Sequence, residues 1–360
     1  DGILFKMRRT QDLPDKESAT MFFQDCKLAH QAQITGISHS VKEILPPDLL
    51  DLTQLQKEAN IRYGYTASEV YDIAQSLYEK KLISYPRTSS RYLTEDVFDS
   101  LPPIMARLLS WELFPAAKGT GGIDISNLSR HVISAEKANV HHAIIITGIR
   151  PGNLSEKEMQ VYRLVAGRML ETFMAPCRIE TTNVEAVCAA QHFKAEQTRI
   201  IEAGWHDVFM RSDMVPKSGY SVNELPEVEK GDNLNVCGCN MVHKKELPVD
   251  PFTDAELVEY MELNGLGTVS SRTNIIRTLV NRKYIRYSGK YIVPTPKGMF
   301  TYETIRGKKI ADTSLTADWE KQLTGLESGM ITGQDFLNRI RTLAKEMTDD
   351  IFNTYSTKEE

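Results

Sequence analysis

The sequence lacks the features that would place it in a membrane, staple it with disulfides or make it globally basic. No apolar run approaches the ~18–20 residues that span a bilayer, and no leader-like segment is visible, so a membrane partner is not expected. Cysteine is sparse: Cys26, Cys177, Cys188, Cys237 and Cys239 are odd in number and scattered. Cys237 and Cys239 stand too close together, and too far from other soft ligands, to build a zinc site. Reduced thiols in a cytoplasmic protein are the expectation. The net charge of -5 gives no global attraction to nucleic acid, so any such face must be local. Internal repeats and low-complexity tracts are absent. A hydrophobic content of 41% and a charged content of 25% are those of a soluble globular chain, and 360 residues predict two or three domains. The chain opens at Asp1, without Met, directly into strand-like Ile3–Met7, as expected of a piece of a longer protein.

The pattern along the chain predicts an α+β multidomain protein. Residues 1–48 read as β-rich, with a helix near 16–23 and a strand over 32–41, and Pro46-Pro47 closes the segment. Residues 49–176 read as helical. Thr66-Ala67-Ser68-Glu69 and Ser155-Glu156-Lys157-Glu158 are capping boxes, a helix is expected over 101–113, and Gly119–Gly122 reads as a flexible break. Val140–Gly148 reads as a buried strand opened by two histidines. Residues 177–248 return to short alternating strands, so the helical segment resembles an insertion into a β domain. From 249 to 360 the chain is helical again. Thr253–Glu256 caps one helix, and a second over 271–281 turns Ile275, Ile276, Leu279 and Val280 inward. A hairpin about Ser288-Gly289 completes a winged helix-turn-helix outline.

The chemistry concentrates at Leu82-Ile83-Ser84-Tyr85-Pro86-Arg87-Thr88. Pro86 forces Tyr85 out of the helical region, so the phenol projects from a turn just past a helix end. Arg87 offers a permanent charge and a fork suited to phosphate oxygens. No acid lies between Glu79 and Glu95, and none between Glu262 and Glu303. The second gap holds Arg272, Arg277, Arg282, Lys283, Arg286, Lys290 and Lys297 with three interleaved tyrosines, a candidate footprint for phosphates and stacked bases. The helix start after Gly267-Thr268 offers free backbone N–H groups. His141 and His142 have no nearby acid or cysteine to complete a metal shell, but a histidine at a strand end can donate to phosphate or move a proton.

Seven segments together resemble the type IA DNA topoisomerases, and most nearly the bacterial topoisomerase III branch. They are Leu52–Asn60 (LTQLQKEAN), Ala74–Glu79 (AQSLYE), Ser84–Thr88 (SYPRT), His141–Ile145 (HHAII), Gly265–Arg272, Thr295–Gly298 (TPKG) and Leu315–Glu320 (LTADWE). The sequence departs from the family at Ser89, where Asp is usual, at Ile146 for Pro, and at Val269, Ser270 and Ser271.

The resemblance implies an arch in which a β-rich domain carries an inserted helical domain and a C-terminal winged-helix-like domain. It implies that Tyr85 attacks a backbone phosphate of single-stranded DNA, with Arg87 and His141 at that phosphate. Gln75 and Thr88 would hold the strand, and Thr268 and Arg272 would line the groove that admits it. The family's Toprim domain, with its Mg2+-binding acids, is missing here. The fragment is therefore expected to hold no metal, to bind single-stranded DNA without turnover, and to work in a nucleoid-associated parent that includes that domain. The alternatives are a non-catalytic single-stranded DNA clamp and a winged-helix duplex binder.

Overall fold

The computed structural model describes residues 3–111, 113–115, 123–138, 141–210, 217–242 and 250–356. The expected break at Gly119–Gly122 and the start of the histidine segment at Val140 lie outside the described residues. The fold is α+β. In chain order the elements are β1 (Arg8–Arg9), α1 (Lys16–Leu28), β2 (Gln31–Ile44), α2 (Leu52–Tyr63), α3 (Ala67–Glu79), α4 (Glu95–Asp99), α5 (Leu101–Ser110), α6 (Ala135–Ala138), α7 (Glu156–Phe173), β3 (Cys177–Cys188), β4 (Gln191–Glu202), β5 (Asn233–Asn235), α8 (Asp254–Leu263), α9 (Val269–Asn281), β6 (Ile285–Ser288), β7 (Tyr291–Pro294), α10 (Pro296–Ile305), α11 (Thr313–Glu327) and α12 (Gly333–Ser356), with short 3-10 turns between some of them.

Two compact units emerge. The first comprises Asp1–Pro47, Leu109–Ser129 and Met169–Pro248; the second comprises Asp48–Leu108, Arg130–Arg168 and Val249–Glu360. The first is built on an antiparallel sheet in the order β1-β4-β3-β2-β5. Every second residue at the two ends of β3 is buried, among them Ile179, Val184, Ala186 and Cys188, as a sheet with one covered face requires. Cys26 of α1 joins Ala32, Ile34, Val184, Ala186 and Cys188 in one apolar cluster. All five cysteines are free thiols. Trp205 is buried and donates its indole N–H to the Ile44 carbonyl at 2.9 Å, as a buried tryptophan must.

The second unit is helical and carries the winged element. Gly64 closes α2 in the left-handed conformation (φ 70°), and Thr66 with Glu69 forms the expected capping box on α3. Leu52, Leu55 and Ala59 of α2 and Val70, Ala74 and Leu77 of α3 are buried at helical spacing. A further cluster gathers Ala67, Val258, Met261, Ile276 and Ile292, so α8, α9 and β7 share a core with the start of α3. Gln56 ties α2 into it, donating to the Ala67 carbonyl at 2.9 Å and to Thr273 Oγ1 at 3.0 Å. Asp254 accepts from the Tyr287 hydroxyl at 2.7 Å and from the Ala67 N–H. Burial holds its carboxyl above the usual range.

Several expectations shift. Helix α9 starts at Val269 rather than Ser271. Ile275 is 38% exposed, while Arg272, Thr273 and Ile276 turn inward. The wing's turn is Gly289-Lys290, with Ser288 already paired to Tyr291. The histidine segment is not a sheet strand. It is tied by isolated bridges, Leu50 to Ile144 and Ile83 to Ile146.

Gly298, the glycine of the TPKG segment, lies in α10 against the backbone that links α9 to β6. A Cβ there would collide with the Tyr284 carbonyl oxygen, which already accepts from the Thr295 N–H at 3.0 Å. Glycine to alanine inside a helix ordinarily stabilises by about 1 kcal/mol. Here the overlap reverses the sign, and Gly298→Ala is expected to destabilise by roughly 1–3 kcal/mol in urea unfolding. An unchanged midpoint would contradict the packing described.

Candidate active site

The segment after α3 is shaped by backbone bonds. Leu82 N–H bonds to the Leu77 carbonyl at 2.9 Å, and Lys81 takes a left-handed φ of 61° to turn the chain. Ser84 then joins two strands of chain. Its N–H donates to the Ile145 carbonyl at 2.8 Å, its hydroxyl donates to the Ala143 carbonyl at 3.1 Å, and the Ile145 N–H donates to that hydroxyl at 2.9 Å. Further on, the Thr88 hydroxyl donates to the His141 carbonyl at 3.2 Å, and the Leu52 N–H to the Thr88 carbonyl at 3.1 Å. The tyrosine and histidine segments, far apart in sequence, are thus laced together on either side of Tyr85.

Tyr85 is half-buried, with its ring between two others. The His141 ring lies 4.6 Å away, centroid to centroid, tilted by 47°. The Tyr78 ring meets it edge-on at 5.4 Å and 74°. Arg87 lies along the same helix. Its guanidinium carbon sits 5.1 Å from the centroid of the Tyr71 ring, and Nη2 reaches Gln75 Oε1 at 3.5 Å. The Gln75 amide is fixed in turn by donating to Glu79 Oε1 at 2.8 Å. Tyr71, Gln75 and Tyr78 stand at i, i+4 and i+7, one stripe of α3. That stripe receives both Arg87 and Tyr85. The Arg87 Nε–H is buried without a hydrogen-bond partner. A native protein leaves few buried donors unpaired, and this one has the chemistry to meet an anionic oxygen.

The end of α3 is pinned from the other side. Glu158 accepts from Ser76 Oγ at 2.7 Å, from the Ser155 N–H at 3.0 Å, and from Lys80. Lys80 first, then the Ser155 N–H and Ser76, hold its carboxyl at about 2 instead of an ordinary 4.5. A depressed carboxyl contributes stability above its unfolded value and loses it as pH falls towards the folded one. Glu158→Gln is therefore expected to cost about 1 kcal/mol at pH 7, the scale of a solvent-screened pair. It should also flatten the loss of melting temperature between pH 4.5 and 2. Identical pH slopes in the two proteins would count against this pairing.

The residues singled out in the sequence do not all meet. Tyr85, Arg87, Gln75, Thr88 and His141 come together. Thr88 is 3% exposed, so it ties the two segments and does not offer an open contact to a strand. Thr268 is exposed at the start of α9, its N–H donating to Ser271 Oγ at 2.8 Å. Arg272 differs from expectation: it is 8% exposed, lies 3.3 Å from Glu262, and leaves Nε and Nη1 without hydrogen bonds. Among the described residues no hydrogen bond, ion pair or ring contact joins Thr268 or Arg272 to Tyr85, Arg87 or His141. The acid-free stretches also close up in space. Arg91 pairs with the buried Asp51 at 2.7 Å, and Arg277 pairs with Asp72 at 2.9 Å. Arg282, Lys283, Arg286, Lys290 and Lys297 remain exposed around the wing, with Lys297 over Tyr284 at 4.7 Å and Lys290 over Tyr291 at 5.0 Å.

Tyr71 and Tyr78 were not read from the sequence as site residues. Their i+7 spacing, with Gln75 between them, was the available signal, but Tyr78 reads equally well as part of the helix's apolar side. Among the described residues no group of three or more His, Cys, Asp or Glu is placed to hold a metal ion. No helix of the described residues is long and apolar enough to cross a membrane.

Comparison with known proteins gives a consistent assignment. Residues 4–338 match the family model described as DNA topoisomerase. DNA topoisomerase 3 of Bacillus licheniformis is 31% identical over 344 residues, covering 89% of this chain and 47% of the relative. DNA topoisomerase 3 of Shouchella clausii is 30% identical, covering 98% of this chain and 51% of the relative. The chain thus spans about half the length of these curated relatives. Full-length topoisomerase I from Thermotoga maritima has a similar fold, with a TM-score of 0.72 at 23% identity over 95% of this chain and 56% of that one.

Proposed function

Because this chain belongs to the DNA topoisomerase family, as a bacterial topoisomerase III-like member of the type IA kind, we propose that it supplies the tyrosine-bearing part of an enzyme that cuts and reseals single-stranded DNA. The observation that carries the reading is the Tyr85 ring set between His141 and Tyr78, on the same helix stripe that holds an Arg87 with an unpartnered buried Nε–H. In the cutting step the Tyr85 hydroxyl oxygen forms a bond to a backbone phosphorus as the bond from phosphorus to the 3′ oxygen breaks. The phenolic proton is given up and the departing 3′ oxygen takes one. The 5′ end is left esterified to Tyr85, and resealing is the reverse reaction. A neutral phenol is a weak nucleophile unless assisted, and phosphoryl transfer is governed by positioning and charge stabilisation.

Arg87 is assigned to the charge on the scissile phosphate, and His141 to that phosphate or its neighbour. Gln75 keeps Arg87 in place, and Thr88 keeps the His141 segment in place. Thr268 and the exposed cations of the wing are assigned to the strand on its way to the site, with bases stacking on the interleaved tyrosines. Arg272 would serve there only after exchanging Glu262 for a phosphate. Magnesium, where the parent uses it, is assigned to acids in a Toprim domain outside this chain. The reading divides labour: a parent with that domain relaxes negatively supercoiled plasmid in Mg2+, while residues 1–360 bind a single-stranded oligonucleotide without turnover. Relaxation by residues 1–360 alone would overturn that division. Strand binding by the parent with no covalent adduct would favour a non-catalytic clamp.

A further inference from the structure

We propose that Tyr71 is a positioning residue for strand cleavage, a π-face that fixes the Arg87 guanidinium plane without neutralising its charge. This rests on the reading of Tyr85 and Arg87 given above. Among the described residues Arg87 has no carboxylate partner. Its charge is held by the Tyr71 ring, 5.1 Å from the guanidinium carbon, and by the neutral Gln75 amide at 3.5 Å. Three cations near this stretch are treated differently: Arg91 is spent on Asp51, Lys80 on Glu158 and Arg277 on Asp72. A carboxylate beside Arg87 would hold it more tightly, but would occupy the N–H groups a phosphate needs and cancel the field that draws it. An aromatic face engages the cation through its quadrupole and leaves the in-plane N–H groups open.

The geometry fits that purpose. The Tyr71 ring, with the guanidinium carbon over its face, restricts rotation about the long side chain, and Gln75 restrains one edge. Nε–H, buried and unpartnered, is then presented in a set direction before any strand arrives. Pre-positioning of this kind acts on the reacting complex more than on strand affinity. Tyr71 touches no reacting atom in this account; it acts through Arg87.

The experiment uses the full-length parent, a single-stranded oligonucleotide and Mg2+, and follows single-turnover formation of the covalent adduct beside oligonucleotide affinity. Tyr71→Leu is expected to slow adduct formation about tenfold with affinity changed less than about twofold, and Tyr71→Phe to restore most of the rate. In an Arg87→Lys background the Tyr71→Leu effect should largely vanish, because the planar partner is gone. If Tyr71→Leu folds poorly, phenylalanines bearing progressively more ring fluorine at position 71 keep the shape while weakening the quadrupole, and the rate should fall along the series. A rate indifferent to ring fluorination overturns the proposal. So does a Tyr71→Phe protein as impaired as Tyr71→Leu, or a full Tyr71→Leu effect in the Arg87→Lys background. A Tyr85→Phe control that still forms adduct at the wild-type rate sinks the underlying functional reading instead, so the two failures are told apart.

Discussion

Replacing Tyr85 by phenylalanine in the full-length parent is expected to abolish the covalent DNA adduct and with it plasmid relaxation, while strand binding survives. The substitution removes one oxygen and leaves the ring between Tyr78 and His141. The aromatic packing that shapes the segment therefore persists, and fold stability should change by no more than about 1 kcal/mol. No compensating nucleophile is expected, since a hydroxyl elsewhere would lack the imidazole on one side and the shared helix stripe on the other. The measurement is denaturing electrophoresis of enzyme incubated with a labelled strand. Adducts retained by Tyr85→Phe would move the nucleophile to another residue. Peptide mapping of the wild-type adduct checks the same point from the opposite direction.

The second large effect is expected at Arg87. Removing a preorganised cation from the site of developing charge costs on the order of 10²–10³ in rate, and Arg87→Ala should lose that much in adduct formation. Arg87→Lys should recover little of it. A lysine keeps the charge, but as a strongly hydrated point on a flexible stem. It cannot present a planar fork across the Tyr71 face and to Gln75 together. Single-turnover rates decide the matter. A lysine variant within about threefold of wild type would show that bulk charge suffices and that the plane is irrelevant.

Much of the site was legible in the sequence because it depends on local rules. Pro86 after Tyr85 and the capping box at Thr66–Glu69, with the helix it opens, are each written in a few adjacent residues, and the structure has them in place. The convergence of Tyr85 with His141 was readable only through resemblance, since nothing local links residue 85 to residue 141. The linkage is made by Ser84 and Thr88, whose small hydroxyls carry no distinctive pattern. Charge was the least legible property. Two stretches without acids suggested two open cationic faces, but a gap along the chain is not a gap in space. Asp51, Asp72 and Glu262 reach in from elsewhere to Arg91, Arg277 and Arg272. The wing keeps the exposed cations expected of it. Tyr71 escaped for a related reason: a tyrosine on an amphipathic helix reads as packing until the cation it covers is seen.

The stitching of residues 83–88 to residues 141–146 bears on what stays beside Tyr85. Ser84 bridges both directions across the seam, Ile83 pairs with Ile146, and Thr88 clasps the far end. Phenol, guanidinium and imidazole are consequently held in one stitched segment pair. If Tyr85 takes up a severed 5′ end, as proposed, Arg87 and His141 stay beside it, and this part of the centre needs no reassembly before rejoining.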